Sequence, residues 1–475
     1  MKNYWQRSAV ILTCSLIGVL TANAQSVRLD TASFRHLPPD AFQVIRINLP
    51  HLLTKVNWLD FSPVIPGLSP SIPGGIAFID SIKNLKDIGV NVRKPVFVAT
   101  GFNLDSTTYT SIIFRLSDSG RFAAWLQKVY PSLHSIYLPG GHAASIPHIT
   151  FAWNDQLAVV TLMDKTPKNH LILRGYDDTF FTTDTAFMTA FSGGADLQVW
   201  APGTFGLPLP RRLTKKEMQP GLHAIASIGF LPGGVIVEGR APLTSLGESR
   251  VPLFTDRSLP EKWLAPFSPD ELLGFVSLQV DIPVFVLLID SNNPKTRTLL
   301  ALINSDPGEI TRAFRGDMMV AAVRSGHPAD KPMDKVGFYL IATVRDSLAF
   351  SKLANTLHLS YALRDSIGVI GSDPESVQKY LNAPSHSLPA TVIDPLRNNP
   401  LAGTIDLKAL RITFPTGESP GAPDGILATL LKLRHFNRLS FTVGYTAHSS
   451  LFRMELVTGD PGYNSLQMLI NDVGN

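Results

Sequence analysis

Apolar and polar positions along the chain follow two periods. Leu439, Phe441, Val443 and Tyr445 alternate with Ser440, Thr442 and Gly444, and Phe452, Met454 and Leu456 alternate with Arg453 and Glu455. A period of two puts each set on its own face of a strand, so this stretch predicts an antiparallel hairpin with one face buried and the other wet. Residues 226–241 predict a second hairpin. After two aspartates the period becomes helical: Asp118 precedes Phe122, Trp125, Leu126 and Val129, and Asp346 precedes Phe350, Leu353 and Leu357. Each set makes one apolar stripe, with the Asp placed as N-cap. Ser372-Asp373-Pro374-Glu375 opens a third helix with Pro in its first turn. Strands that alternate irregularly with short helices, the strongest pairs being adjacent hairpins, predict an α+β fold and not a doubly wound parallel sheet.

The pattern occurs twice, in the same order. Pro39-Asp40-Ala41-Phe42 before Val44-Ile45-Arg46-Ile47-Asn48-Leu49 returns as Pro269-Asp270-Glu271-Leu272 before Phe275-Val276-Ser277-Leu278-Gln279-Val280. Strand residues 112–116 followed by Asp118 match 339–344 followed by Asp346, an offset of 228. His148 to Leu157 matches His358 to Ile367 without a gap at an offset of 210, which Asp196 and Asp406 keep. Internal repetition outranks local propensity in deciding a fold. The expected organisation is a signal peptide over residues 1–24, a first α+β repeat unit over 25–243, a junction over 244–266, a second unit over 267–458 and a C-terminal tail over 459–475. Each unit is expected to be a mainly antiparallel sheet with a few short helices.

The first 24 residues read as an export signal. Lys2 and Arg7 precede an apolar run of 13 residues, and Ala22-Asn23-Ala24 has the small-x-small form cut by signal peptidase, here after Ala24. That run is shorter than the ~20 residues needed to cross a bilayer. The longest later apolar run, residues 282–289, ends at Asp290 and reads as a buried strand, so no transmembrane helix is expected. Thr13 before Cys14, and the short apolar run that cleavage there would leave, argue against a lipid anchor. Cys14 is the one cysteine of the chain. Its loss with the signal leaves 451 residues without disulfide, thiol nucleophile or thiolate metal site.

Composition adds limits. With 44% hydrophobic residues the chain is not intrinsically disordered, and 35 Gly with 36 Pro require many turns. Removing Lys2 and Arg7 takes the net charge from +4 to +2, too near neutral to argue for a nucleic-acid partner or an anionic membrane. The Pro/Gly-rich residues 61–75 read as an ordered loop packed on its own unit, with a lid or contact surface as the alternative. Arg211-Arg212 and Lys215-Lys216 read as a solvated face.

Motifs that carry chemistry are scarce. No His-Glu pair at helical spacing, no glycine loop ending in Lys and no Gly-flanked serine on a strand-to-helix turn occurs. His134, His142 and His148 fall around Pro139-Gly140-Gly141, but their spacing lacks the tight pairing of zinc sites. His148 and His358 hold matching positions at a strand start, which suits a structural role. The acids shared by both copies are Asp40, Asp118, Asp155 and Asp196, with Asp270, Asp346, Asp365 and Asp406. Cap and turn chemistry accounts for all except Asp196 and Asp406. No catalytic, cofactor-binding or metal residue is therefore assigned, and no cofactor is expected.

Three groups of residues carry a resemblance: residues 39–53; Ile88-Gly89-Val90 with Lys94-Pro95-Val96-Phe97-Val98; and Arg315-Gly316-Asp317 before Met318-Met319-Val320-Ala321. In them the chain resembles the domain-of-unknown-function 4836 family, an exported family of Bacteroidetes with many lipoproteins. The resemblance implies export and a repeated α+β build, and it carries no catalytic residue across. The functional expectation is a periplasmic or secreted, non-enzymatic binding or scaffold protein whose partner is a protein or an apolar or glycan ligand. The alternatives are a carrier holding an apolar ligand between sheets or halves, and a hydrolase with an Asp/His site.

Overall fold

The structure is a computed structural model that describes residues 31–56, 85–102, 108–162, 169–176, 179–191, 193–202, 223–242, 260–283, 307–325, 336–356, 358–397, 399–414, 430–446, 449–462 and 464–474. The export signal, residues 61–75, the cations at 211–216 and all but the first two residues of the strand expected over 282–289 lie outside the described residues. The chain divides into two compact units, residues 1–242 with 460–475, and residues 243–459. Each is an antiparallel sheet with helices, so the class is α+β.

Unit 1 runs α1 (Thr31–Phe34), β1 (Ala41–Ile47), α2 (Leu49–Leu53), β2 (Val96–Phe102), β3 (Thr108–Arg115), α3 (Ser119–Val129), β4 (Ile136–Leu138), β5 (Gly141–Ile146), β6 (Ile149–Trp153), β7 (Leu157–Leu162), α4 (Asn169–Arg174), α5 (Phe180–Thr183), α6 (Thr185–Phe191), β8 (Leu197–Pro202), β9 (His223–Leu231) and β10 (Gly234–Pro242). Across the sheet the strands lie in the order β4-β5-β6-β7-β3-β2-β1-β8-β9-β10. Unit 2 runs β11 (Leu272–Gln279), α7 (Pro307–Ala313), β12 (Phe314–Arg324), β13 (Val336–Val344), α8 (Ser347–Thr356), β14 (Ser360–Arg364), β15 (Ile367–Gly371), α9 (Pro374–Asn382), α10 (Ala390–Ile393), β16 (Leu401–Asp406), α11 (Leu407–Thr413), β17 (Phe436–Tyr445) and β18 (Ser449–Thr458). Its order is β14-β15-β13-β12-β11-β16-β17-β18. From β6 to β10 unit 1 has the same order, strand for strand.

Local bonds agree with the strand order. The Leu116 N–H donates to the Gln156 carbonyl and the Val344 N–H to the Ser366 carbonyl, both at 2.8 Å. The Asn48 N–H donates to the Asp196 carbonyl at 2.9 Å and the Gln279 N–H to the Pro400 carbonyl at 2.7 Å. A register shift falls between Ala41 and Gln43 on β1 and between Leu272 and Gly274 on β11. These pairs put Ala41 opposite Leu272 in the comparison, one residue from the sequence alignment. They also put Asp196 opposite Pro400, so Asp196 and Asp406 do not correspond: the first precedes its strand and the second ends one.

Three further details depart from the expected organisation. Residues 459–475 are no free tail, since α12 (Ser465–Gly474) belongs to unit 1, where the Ser465 hydroxyl donates to the Gly234 carbonyl at 2.9 Å and Asn464 bridges Pro232. The end of the expected junction is core, because Trp263 and Leu264 are buried in unit 2 beside Phe267, Tyr339 and Tyr380. The β4–β5 hairpin adds a sheet edge to unit 1 that lies beyond the strands matched in unit 2.

Both sheets are apolar on both faces. In unit 1 one face meets Phe34, Phe181, Phe187 and Phe191, which pack on Phe97 and Trp200, and the other meets Phe122, Trp125 and Leu126 of α3. Each such side chain contributes about 1.5–3 kcal/mol by leaving water. In unit 2 the helix α9 covers one face with Val377 and Tyr380, while α7 and α8 cover a corner of the other, with Ala313, Phe350 and Leu353.

The predicted caps are formed. The Asp118 carboxylate accepts from the Arg121 N–H at 2.9 Å, Asp346 from the N–H groups of Leu348 at 2.9 Å and Ala349 at 3.1 Å, and Asp373 from Ser376 at 2.8 Å. His148 (φ 67°) and His358 (φ 54°) both take the left-handed conformation just before their hairpins. The hairpin turns differ: Asp365 and Ser366 have φ of 49° and 63°, as a two-residue hairpin turn with two positive φ angles requires. In unit 1 the turn is instead made by Asn154, whose side-chain oxygen accepts from the N–H groups of Gln156 at 3.0 Å and Leu157 at 2.9 Å. Asp155, read as the turn former, accepts from the Ser119 hydroxyl at 3.1 Å.

Because a lost cap costs about 1 kcal/mol and Ser caps nearly as well as Asp, Asp118→Ala and Asp346→Ala are expected to lower the melting temperature by roughly 2–4 °C each. The Ser variants should hold it, as thermal unfolding followed by circular dichroism would show. Equal losses for Ala and Ser would contradict the capping role.

Candidate functional site

Of the histidines considered for a metal site, His134 is exposed ahead of β4, His142 lies on β5 with its ring stacked on Trp153 at 5.4 Å, and His148 sits in the turn before β6. Among the described residues no three His, Cys, Asp or Glu side chains gather as metal ligands would. The shared acids are likewise dispersed. Asp40 accepts from the Tyr109 hydroxyl at 2.7 Å, and burial together with that carboxylate pushes the phenol pKa upward. Asp270 is exposed in the turn before β11. Asp406 caps α11, accepting from the Ala409 N–H at 2.7 Å, which gives it the structural task the sequence had left open.

Asp196 is different. It precedes β8, and its carboxylate is 0% exposed. Lys55, just beyond α2, points its Nζ at Asp196 Oδ1 from 2.9 Å and is itself only 7% exposed. The Phe230 N–H approaches Oδ2 at 3.4 Å, and His51 Nδ1 lies 3.6 Å from Oδ1. Two residues along the strands, Arg46 on β1 donates to Gln198 Oε1 at 2.8 Å and to the Gly193 carbonyl at 3.2 Å. Burial pushes the Asp196 carboxyl up to about 6, although Lys55 and the Phe230 N–H pull it down. Burial likewise pulls the Lys55 ammonium down to about 8, although Asp196 supports it. Burial, Lys55 and Arg46 lower His51, so it is neutral at neutral pH.

Carboxylate, amine and imidazole are the ingredients of acid–base or imine chemistry. Here the amine is turned inward onto a sealed carboxylate, so the cluster acts as a tie between the end of α2 and the start of β8. The corresponding positions of unit 2 hold Pro400 for Asp196, Ser277 for Arg46 and Ala402 for Gln198, so this strand arrangement does not require the polar set.

A second feature lies on the unit 2 sheet. Ile370, Leu340, Val320, Val276, Gly403, Phe441 and Met454 stand side by side from β15 to β18. The matching row of unit 1 runs Val160, Ile112, Val98, Ile45, Val199 and Ala226. That row is closed, with Val98 at 4% exposure, whereas Val320 is 41% exposed and Met454 39%. The next row sharpens the contrast: unit 1 has Gln43, Thr100 and Thr110 where unit 2 has Gly274, Ala322 and Phe338, and Phe338 is 46% exposed. The hairpin β17–β18 has the face alternation its sequence predicts, but its apolar face is half-open and not buried.

No protein-family model matches the chain, and no curated protein does. Among solved structures, crystal form IV of TP0453 is similar with 9% identity, a TM-score of 0.29, and coverage of 48% of this chain and 87% of that one. Crystal form III of TP0453 is similar with 8% identity, a TM-score of 0.26, and coverage of 76% and 99%. Likeness this slight carries no argument about fold or function.

The buried pair predicts a stability pattern. Lys55→Met alone should cost about 3–5 kcal/mol in urea unfolding because it strands a sealed carboxylate, while Lys55→Met with Asp196→Leu should recover most of that loss. The pH dependence follows from the signs of the shifts. Asp196, raised to about 6, favours the folded state below its ordinary value of 3.8 and loses that contribution as pH rises through 6. Lys55, lowered to about 8, favours it above its ordinary 10.5 and loses that contribution as pH falls through 8. Relative to the double variant, the wild-type midpoint should therefore be lowest between about 6 and 8 and rise on both sides. A flat difference would rule the pair out as its source.

Proposed function

We propose that this chain is an exported, non-enzymatic binding or scaffold protein whose contact surface is the open apolar row of unit 2 and whose partner presents an apolar protein surface. The observation that carries the reading is the pair Val320 and Phe338, exposed on a sheet face where unit 1 has buried Val98 and polar Thr110. Contiguous exposed apolar surface marks a binding site more often than a bare exterior does. The inward-turned Lys55 and the cap and turn roles of the shared aspartates favour this reading over a hydrolase. We read the two units as copies of one ancestral unit, a view supported by their common strand order and matched backbone bonds. Kinship with the domain-of-unknown-function 4836 family rests on the sequence motifs alone.

A photo-crosslinking residue placed at 320 or 338 in the native host is expected to trap one discrete partner, and the same residue at Arg453 on the opposite sheet face is not. Uniform or absent adducts would sink the proposal. Val320→Thr with Phe338→Thr should leave the melting temperature nearly unchanged, as exposed substitutions stay within about 0.5 kcal/mol, and should abolish the adduct formed through a crosslinker at the neighbouring Met454. A drop of many degrees would mark the row as core.

Among the described residues no helix is long and apolar enough to cross a membrane. For the periplasmic or secreted location we propose cleavage after Ala24. Mass spectrometry of exported protein is expected to find Gln25 first, and recovery solely as a lipid-modified Cys14 form would contradict this.

A further inference from the structure

Unit 2 has an open depression of about 380 Å³ lined by Ile282, Pro283, Thr311, Phe314, Arg315 and Arg345, with Pro283 and both arginines exposed. Its two charged groups are both guanidinium, and neither has an ion-pair or hydrogen-bond partner for its side chain among the described residues. The rest of the lining is apolar apart from Thr311. Both arginines stand on fixed backbone. Arg345 lies between β13 and the cap residue Asp346, and its N–H donates to the Ala313 carbonyl at 2.8 Å. Arg315 opens a register shift between Phe314 and Met318 on β12. The next residue, Gly316, has φ 111°, and its carbonyl accepts from the Val280 N–H at 3.0 Å. A Cβ at Gly316 would collide with the Val280 carbonyl oxygen, so the bulge that sets the direction of Arg315 cannot relax.

The fold does not demand these cations. Val90 pairs with Leu116 in unit 1 as Phe314 pairs with Val344 in unit 2, so Asn91 and Ser117 occupy the positions of Arg315 and Arg345. The Ser117 hydroxyl is spent on the Gly89 carbonyl at 3.1 Å. Arg315 and Arg345 both line the depression and are both exposed, so an anion can meet the two guanidinium groups from solvent. Guanidinium groups suit carboxylate and phosphate oxygens because they donate in pairs from a planar fork.

We propose that this depression binds an amphiphilic anion, with a phosphate or carboxylate held by Arg315 and Arg345 and a short apolar body against Ile282, Pro283 and Phe314. Its volume lies at the small end of ligand sites, which run from about 300 to 1,000 Å³. It is separate from the apolar row proposed as the partner surface and stands whether or not that reading does.

Titration calorimetry of the full chain with octyl phosphate tests the idea, with inorganic phosphate and octanol as comparison probes. Saturable binding of octyl phosphate is expected, at least tenfold tighter than inorganic phosphate, with octanol silent. Arg315→Gln and Arg345→Gln should each weaken it about tenfold, and the double variant should abolish it while keeping the wild-type melting temperature. Arg315→Lys with Arg345→Lys retains the charge and should retain weaker binding, which guards against a folding artefact. Octyl phosphate binding that survives the double Gln substitution, or no saturable binding at all, overturns the proposal. Equal affinity for inorganic phosphate overturns the amphiphile class.

Discussion

A sheet with apolar residues on both faces must be covered on both, and the rest of this structure follows from that constraint. Buried apolar surface is worth about 25 cal/mol per Å², so an uncovered face forfeits stability and invites association. Unit 1 meets the requirement with two full layers: the aromatic cluster around Phe187 and Trp200 on one side, and α3 with its Phe122 and Trp125 on the other. Unit 2 has one complete layer, from Trp263 to Leu396, and one partial layer, from Val280 to Leu353. The same order of strands thus supports one closed unit and one with apolar surface left over.

Local rules were legible in the sequence because they act over a few residues. The period-two stretches became β9–β10 and β17–β18, and Asp118, Asp346 and Asp373 became caps whose partners lie two or three residues away. Turn identity was less legible. Asn154 and Asp155 are neighbours, both of them turn formers, and only the geometry shows that Asn154 takes the role. The sequence could not show the strand order either, because pairing β1 with β8 brings together residues about 150 positions apart.

The Asp196 cluster was hidden for a related reason. Lys55 and Asp196 are separated by 141 positions, and no spacing rule links them. One signal was present: Asp196 had no cap or turn to explain it. The signal did not single it out, because Asp406 was equally unexplained until the structure gave it a cap role on α11.

The return of α12 to unit 1 has a consequence in time. Between the last strand of unit 1 and its closing helix the ribosome adds the 217 residues of unit 2. At about 5–20 residues per second this is a wait of roughly 10–40 s. Throughout that interval the β9–β10 hairpin lacks the helix whose Leu466 and Met468 are buried in the finished fold. Unit 2, being continuous in sequence, can be complete before the unit that precedes it. The order of synthesis and the order of completion are therefore reversed, and the nascent chain carries an unfinished first unit through the whole synthesis of the second.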